Sequence, residues 1–463
     1  MHASSRCERG DLTIFGLEGH IAWVGDTVGR WYRLCGLLQA IPIMDNPLGA
    51  RSDSMFPYKS VALIACMTFL MSPMSTLAQD STVDVASLVD GNSDFAFSLY
   101  KQIKEDKENL FFSPHSISTA MSMVQAGARG DTEKQIQQAL HFNSDQGILH
   151  ASYSALESQL SRALDKGGIT LKVANALWPQ KQYPFLESYL SLLQKYYSAS
   201  ITSLDYAGQP QESRKTINSW VATKTQNKIS DLIPAGAIDA LTRLVLVDAV
   251  YFKAAWQDQF KTARTEEADF FVSSDPGDLV KVQMMHNDVT VPYRETDNLQ
   301  IAEIPYSGRD FSMLVILPKE IDGLSKIERT LSNRTLKDLR SSMKVQRVSV
   351  SIPKFKMTSG FRLKQALLAL GVVNAFSEAQ ADFSGIDGRS NWLYISAVMH
   401  KAFIDVSEEG TEAAAATAVS MGRKSLAIGK SVEFTANHPC LFLIQEKSTG
   451  VILFMGRLKN PNA

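Results

Sequence analysis

Three short stretches of the sequence carry residues that could do chemistry. Gly429-Lys430-Ser431 resembles the end of a phosphate-binding loop, but position 424, where that loop needs its first glycine, is a lysine. Asn333-Arg334-Thr335 is an acceptor sequence for N-glycosylation, which matters only in a host that has the machinery. The third stretch, residues 408–425 (EEGTEAAAATAVSMGRKS), is a run of small residues that ends at two adjacent basic side chains.

The signatures of common enzyme classes are missing from the sequence. No histidine is followed by glutamate, which excludes the HExxH zinc helix, and neither CxxC nor GxSxG occurs. The formal net charge of -1 produces no overall field toward nucleic acid or an anionic membrane. We therefore expect no enzyme activity, no cofactor, no metal site and no nucleic-acid partner.

The densest basic run lies between residues 334 and 347 and could bind a polyanion. Its basic residues are Arg334, Lys337, Arg340, Lys344 and Arg347. Leucines and a methionine occupy other positions of the same segment, a pattern typical of the solvated face of an amphipathic helix. We favour that structural interpretation over polyanion binding.

The small-residue run has no apolar stripe that a helix could bury, although four consecutive alanines have high helix propensity. With a period of two, one face consists of small, nearly uncharged side chains that a strand tolerates. Periodicity alone leaves exposed helix, loop and strand open for this segment.

Residues 55–78 have the pattern of a secretory signal peptide. Lys59 supplies a short basic region, and residues 60–71 form an apolar run too short to span a membrane. Small residues up to Ala78 would permit cleavage there. A buried core helix is one alternative, and a bacterial lipoprotein box ending at Cys66 is another, which would anchor the protein to a membrane.

A signal peptide must stand at a true N-terminus, so we interpret residues 1–54 as a misassigned extension. The expected product is then a secreted, extracellular protein (periplasmic in a bacterium) with one domain at 79–463. Of the cysteines, that domain keeps only Cys440, so no intrachain disulfide is expected.

Helical patterns dominate the first part of the domain and strand patterns the later part. Thr132 and Gln135 are spaced as a capping box before a helix. Residues 244–252 (LVLVDAVYF) are almost continuously apolar, which predicts a strand covered on both faces. Residues 441–444 and 451–455 predict a buried hairpin. This order of elements predicts an α+β domain.

A series of motifs along the chain resembles the serpin family of serine protease inhibitors. Near the small-residue run, the motifs are His400-Lys401-Ala402-Phe403, residues 408–415 (EEGTEAAA), residues 432–439 (VEFTANHP) and Phe454-Met455-Gly456-Arg457. Upstream, they are residues 109–117 (NLFFSPHSI), residues 251–256 (YFKAAW), Pro353-Lys354-Phe355 and residues 382–386 (DFSGI). The resemblance covers roughly residues 85–463.

The resemblance implies a serpin fold of three β-sheets and about nine helices, with an exposed reactive loop at about residues 408–431. It also implies a suicide mechanism. A protease attacks the loop and forms an acyl-enzyme, and the first half of the loop then inserts into the central sheet as a new strand. An inserting strand needs narrow side chains on the face that enters the core, which accounts for the small residues.

The resemblance also assigns residues to the loop. In the usual serpin register the residue before the cleaved bond lies fourteen positions after the hinge glycine, which gives Lys424–Ser425, with Arg423–Lys424 as the alternative bond. A basic residue there suits a trypsin-like protease, which would be the covalent partner of a monomeric inhibitor. The expected hinge and inserting strand comprise Glu408, Gly410, Thr411, Ala413, Ala415 and Thr417.

A polar cluster beneath the central sheet is the last expectation from the resemblance. Its residues are Ser113, Ser116, Asp248, His400 and Trp256. Asp248 stands where such proteins usually have asparagine, and it could form an ion pair with His400 or accept the same hydrogen bonds. A non-inhibitory serpin with a carrier, chaperone or storage role is the alternative function.

Overall fold

The computed structural model describes residues 83–105, 108–166, 168–182, 184–199, 201–390, 392–411 and 431–463. All of them belong to one unit, Leu77–Ala463. The predicted extension and signal peptide lie outside the described residues. The same is true of the predicted loop residues Ala413, Ala415, Thr417, Arg423, Lys424 and Ser425.

The described residues form ten α-helices, and side-chain caps mark where several of them begin. The Ser113 hydroxyl accepts a hydrogen bond from Ser116 N–H at the start of α2, and Pro114 occupies the first turn, where no backbone donor is lost. The helices are α1 (Val85–Ile103), α2 (Pro114–Gln125), α3 (Gly130–Ala139), α4 (Gln146–Leu164), α5 (Glu187–Tyr197), α6 (Pro210–Lys224), α7 (Leu324–Thr330), α8 (Asn333–Ser341), α9 (Lys364–Ala369) and α10 (Ser384–Asp387).

Fourteen strands accompany these helices in the described residues. They are β1 (Leu110–Phe112), β2 (Ile169–Pro179), β3 (Leu244–Ala255), β4 (Thr265–Phe271), β5 (Leu279–Glu295), β6 (Leu299–Pro305), β7 (Phe311–Pro318), β8 (Lys344–Pro353), β9 (Phe355–Arg362), β10 (Ala397–Val406), β11 (Gly410–Thr411), β12 (Val432–Thr435), β13 (Cys440–Glu446) and β14 (Ile452–Leu458). The predicted α+β class is confirmed.

The central sheet has five strands in the order β2-β3-β11-β10-β9. Strands β3 and β10 run parallel and pair directly over seven residues, with His400 opposite Asp248. The short β11 lies between these two strands at one end and pairs antiparallel with both of them. The sheet therefore already holds a third strand at the end of the β3–β10 junction.

The other strands form a nine-stranded network with β4 attached beside β5. The long β5 joins its two parts, because residues 284–293 pair with β8 while residues 293–295 pair with β6. We interpret the two parts as two of the three sheets expected from the resemblance, joined edge to edge through β5. The predicted C-terminal hairpin is confirmed as β13 and β14.

Two hydrophobic clusters cover the two faces of β3. Leu246, Val250 and Phe252 belong to the larger cluster, which also contains the buried residues of α1 and α2. Val245 and Val247 belong to the smaller cluster, which contains buried residues of α6. Because residues alternate between the faces of a strand, this double coverage explains the continuous apolar run and confirms its prediction.

Two local predictions are wrong. The basic run does not lie on one helix, since α8 ends at Ser341 while Lys344 and Arg347 belong to β8. The expected capping box does not form either. Thr132 Oγ1 accepts a hydrogen bond from Asp382 N–H, and Gln135 Oε1 accepts from backbone N–H groups of residues 373 and 374. The side chains of Thr132 and Gln135 therefore bind backbone groups far away in sequence instead of capping the start of α3.

Asn333 is buried in the folded protein, with 8% of its surface exposed. Its amide donates a hydrogen bond to the carbonyl oxygen of Asp90 over 3.3 Å. A glycan needs open solvent around the amide that carries it, which a buried side chain does not offer, so the acceptor sequence is a poor glycosylation site once the chain has folded.

Candidate functional site

The hinge, residues 407–411, is docked between β3 and β10. Gly410 pairs with Ala255 and Thr411 with Ala254, and Thr411 also pairs with Val406 of β10. Gly410 has φ 152°, and a Cβ atom there would overlap the carbonyl oxygen of Ala254. Only glycine fits this position without moving the backbone of β3.

Thr411 places its side chain in the core, where no part of it is exposed. Its hydroxyl lies 2.7 Å from the hydroxyl of Tyr306, and the two groups share a hydrogen bond. The Tyr306 ring stacks on Trp256, with ring centroids 4.7 Å apart and planes within 6°. Thr411 therefore occupies a defined aromatic site at the edge of the larger core cluster.

Trp256 belongs to the hinge and not to the polar cluster in which we expected it. Its indole Nε1–H donates to the carbonyl oxygen of Ser407 over 2.9 Å, and its backbone N–H donates to that of Glu409 over 2.9 Å. Asp248 lies eight residues away along the same strand direction, a separation of roughly 26 Å in an extended chain. The cluster therefore has to be defined without Trp256.

The Glu408 carboxylate fixes the start of the hinge. Thr265 Oγ1 donates to one oxygen over 2.9 Å, and the Lys354 ammonium lies 2.8 Å from the other. Burial acts to raise the pKa of Glu408, but the hydrogen bonds from Lys354, the backbone and Thr265 outweigh it and hold the pKa below its ordinary value. The charged form of Glu408 therefore stabilises the docked hinge.

The polar cluster joins α2 to both central strands. Ser113 N–H donates to His400 Nε2 over 3.1 Å, and the Ser116 hydroxyl donates to Asp248 Oδ1 over 2.6 Å. His400 Nδ1 lies 3.1 Å from Asp248 Oδ2. These contacts bring together Ser113, Ser116, Asp248 and His400, all of them buried.

The hydrogen-bond pattern assigns the tautomer of His400. Because Nε2 accepts from a backbone N–H, the ring proton must be on Nδ1, where it can donate to the Asp248 carboxylate. A doubly protonated ring would lose the bond from Ser113. The geometry therefore favours a neutral histidine that donates to Asp248 over an ion pair.

Asn175 of β2 also belongs to the cluster, although no sequence motif pointed to it. Its Nδ2 donates to the carbonyl oxygen of Ser116 over 3.1 Å, and its Oδ1 lies 3.0 Å from the Ser116 hydroxyl. The register of β2 against β3 places Asn175 opposite Asp248. Only this cross-strand pairing could have revealed its position.

Two features are absent from the part of the chain that the structure describes, namely a cluster of metal ligands and a membrane-spanning helix. No group of three or more His, Cys, Asp or Glu side chains there could hold a metal ion. None of the described helices is both long and apolar enough to cross a membrane. Cys440 is buried, and burial raises the pKa of its thiol to about 12, so it is a core residue without thiolate reactivity.

Comparison with known proteins identifies relatives of this architecture. A family model described as Serpin (serine protease inhibitor) matches residues 90–461. Human Serpin B3 is 40% identical over 395 residues, which cover 81% of this chain and 100% of that protein. The leukocyte elastase inhibitor of Xenopus tropicalis is 38% identical over 373 residues, which cover 79% of this chain and 97% of the inhibitor.

Solved structures of known proteins have a fold similar to that of this chain. The crystal structure of uncleaved ovalbumin matches with a TM-score of 0.74 and 29% identity. The match covers 81% of this chain and 100% of ovalbumin. The likeness therefore extends over the whole length of that protein.

These comparisons show that the prediction of a secreted protein is wrong. Serpin B3, Serpin B4 and the leukocyte elastase inhibitors, which match over nearly their whole length, are intracellular serpins. A short apolar segment behind one lysine is too weak a basis for that localisation.

Proposed function

The chain belongs to the serpin family, and we propose that it inhibits a trypsin-like serine protease by trapping the enzyme in a covalent complex. Serpins form covalent complexes with serine proteases, and one relative is by name an inhibitor of leukocyte elastase. The preference for a trypsin-like enzyme rests on Lys424, which lies fourteen residues after the hinge glycine.

The docked hinge is the observation that carries this proposal. Thr411 already pairs with Ala254 of β3 and with Val406 of β10. If the chain continued as a strand in this register, position 417, six residues further on, would face Asp248 on one side and His400 on the other. The register of β11 against β3 gives the position opposite Asp248, and the register of β11 against β10 independently gives the position opposite His400. The inserting strand would therefore bring the Thr417 hydroxyl to the hydrogen bond that now joins the two strands.

The same register explains the small residues. Thr411 points to the larger core cluster, and residues 413 and 415 would follow it on that face. They would lie opposite Phe252 and Val250 of β3, which belong to that cluster. Alanine side chains can enter between closely packed strands, whereas larger ones would overpack the core.

The chemistry belongs to the protease, and this chain supplies the substrate. The protease serine oxygen attacks the Lys424 carbonyl carbon, and the bond from that carbon to the Ser425 nitrogen breaks. The new amine takes the proton, and an ester joins Lys424 to the enzyme. Attack by water on this ester would release an active protease, so insertion must outpace hydrolysis for inhibition.

The cost of insertion is the separation of β3 from β10. Seven residue pairs join them directly, from Ala397 opposite Val245 to Phe403 opposite Tyr251. The buried bond from His400 to Asp248 lies within this stretch. The new strand would replace the lost backbone pairing on both sides, which makes the exchange favourable once the loop has been cut.

Incubation with trypsin followed by a denaturing gel tests the proposal. We expect a covalent complex near the sum of the two masses, and a smaller C-terminal fragment that begins at Ser425. Chymotrypsin, whose pocket is apolar, is the control and should form far less complex. Clean cleavage of the loop by trypsin without any complex would contradict the inhibitory function and support the non-inhibitory alternative.

A further inference from the structure

Strand β8 extends beyond its neighbour β12 at one end. The pairing between them begins with Val348 opposite Val432, so residues 344–347 have no strand on that side among the described residues. On the other side, residues 344–347 pair with residues 290–293 of β5. The end of β8 is therefore an edge whose backbone groups are open on one side.

An apolar spot lies at this open edge. Val345 has 69% of its surface exposed, and it pairs with Pro292 of β5. Side chains of paired residues lie on the same face of a sheet, so Val345 and Pro292 are neighbours. One exposed valine is ordinary on a protein surface, so its meaning depends on what surrounds it.

Two basic side chains flank this spot in sequence, namely Lys344 and Arg347. Both are exposed, and neither forms a salt bridge within the part of the chain that the structure describes. Two acidic residues, Glu433 and Asp288, lie one row further along on the neighbouring strands, and Asp288 is 3.4 Å from Arg264. The end of β8 is therefore positive, with the Glu433 carboxylate beside it.

The reactive loop joins the described part of the chain beside this surface. Ser425, which follows the proposed cleaved bond, precedes Val432 by seven residues, and seven residues span about 25 Å at most. Val345 lies three residues along β8 from Val348, the partner of Val432, which is a distance of about 10 Å. A protease of about 220 residues has a radius of gyration of about 17 Å. A protease seated on the bond can therefore reach the end of β8.

We propose that the end of β8, defined as Lys344, Val345 and Arg347, is a second contact surface for the protease that binds the loop. It favours a trypsin-like protease that carries acidic groups around an apolar spot beside its active site. This inference rests on the proposed function, since it takes a trypsin-like protease as the partner. Opposite charges raise the rate of association, and burial of Val345 slows dissociation.

Anionic and cationic trypsin test this surface, because both cleave after basic residues but carry net charges of opposite sign. Forms of both enzymes with the active-site serine changed to alanine bind the loop without cutting it, so surface plasmon resonance measures docking apart from trapping. We expect anionic trypsin to associate about tenfold faster at low salt, and this ratio to fall toward one at high salt. Equal rates at low salt, or no binding of either enzyme, would overturn the proposal.

Variants locate the surface. Lys344→Glu combined with Arg347→Glu should make cationic trypsin the faster partner. Arg162→Glu combined with Lys195→Glu is the matched control, because these exposed residues lie in the last turns of α4 and α5 and the net charge changes equally. An equal effect of the control would show a general charge effect instead of a site. Val345→Ser should raise the dissociation rate of both enzymes about threefold, and unchanged rates would contradict the apolar contact.

A variant that gains affinity guards against loss of function by misfolding. Glu433→Lys removes the opposing charge beside Arg347, so anionic trypsin should associate faster, which a damaged fold would not produce. A slower rate in a variant whose near-ultraviolet circular dichroism matches that of the parent protein would contradict the proposal.

Active trypsin separates this inference from the proposed function. Cleavage of the loop without a covalent complex would contradict inhibition, whereas the charge preference of the inactive enzymes would remain. Dextran sulfate that binds the end of β8, in a protein that neither inactive trypsin binds, would assign the surface to a polyanion and overturn the proposal.

Discussion

His400 and Asp248 join the two strands that an inserting strand would have to separate. The Nδ1–H group of His400 donates to Asp248 Oδ2 over 3.1 Å, and both side chains are essentially unexposed. The docked hinge, Gly410 and Thr411, lies at the end of the same junction. The docked hinge is therefore the start of the proposed insertion path, and the bond between His400 and Asp248 lies midway along it.

The first prediction concerns Asp248. Asp248→Asn should keep the intact protein about as stable, because the amide oxygen can accept from His400 while the amide N–H₂ donates to the Ser116 hydroxyl. Asp248→Leu should lower the free energy of unfolding by about 1–3 kcal/mol, since it leaves the His400 donor buried without an acceptor. Urea denaturation measures both. A leucine variant as stable as the asparagine variant would show that this bond contributes nothing.

The second prediction concerns pH. The folded pKa of Glu408 is depressed below 4.5, so its contribution to stability is complete above that pH and is lost as pH falls through the folded value. At neutral pH, Glu408→Gln should melt below the parent protein, and this gap should close in acid. Glu409→Gln, an exposed neighbour, is the control. A gap that is independent of pH would contradict the role of the Glu408 charge.

The sequence predicted those parts of the fold that depend on local pattern. The continuous apolar run of β3 indicated a strand between two cores, and alternation outlined the C-terminal hairpin. The capping box predicted from Thr132 and Gln135 was wrong because their hydrogen-bond partners, near residues 374 and 382, are distant in sequence. The prediction of a single helix for the basic run was wrong because the spacing of the charges does not show that the helix α8 ends at Ser341.

The candidate site also contains residues that the sequence could indicate and residues that only the tertiary structure reveals. Motifs of the resemblance indicated Ser113, Ser116 and His400, and the structure brings them together with Asp248. Asn175 could not be predicted, because its role follows from the pairing of β2 with β3. Trp256 was placed in the wrong group, because sequence proximity to β3 does not show which end of the strand a cluster occupies.

The third prediction concerns the hinge. Thr411→Arg would put a permanent charge into a fully buried position beside Tyr306, so the hinge should leave the sheet and insertion should slow. Trypsin should then cut the variant as an ordinary substrate, without a stable complex. Glu409→Arg introduces the same side chain at an exposed position and should still trap trypsin. Complex formation by Thr411→Arg at parental stoichiometry would contradict the insertion path.

The fourth prediction concerns specificity. Lys424→Ala should abolish complex formation with trypsin, because the acidic pocket of that protease needs a basic residue before the cleaved bond. Arg423→Ala, the matched control, should leave trapping intact. Mass spectrometry of the released fragment identifies the bond. The opposite pattern, with Arg423→Ala as the inactive variant, would move the reactive bond to Arg423–Lys424.

The most direct test of strand insertion is the melting temperature of the protein after cleavage at Lys424, compared with that of the intact protein. Insertion adds backbone pairing on both sides of the new strand and buries its small residues, so the cleaved form should melt far above the intact form. Thr417→Arg would place a charge opposite Asp248 and His400, and its cleaved form should gain much less. Equal melting temperatures for the intact and cleaved parent protein would contradict the account.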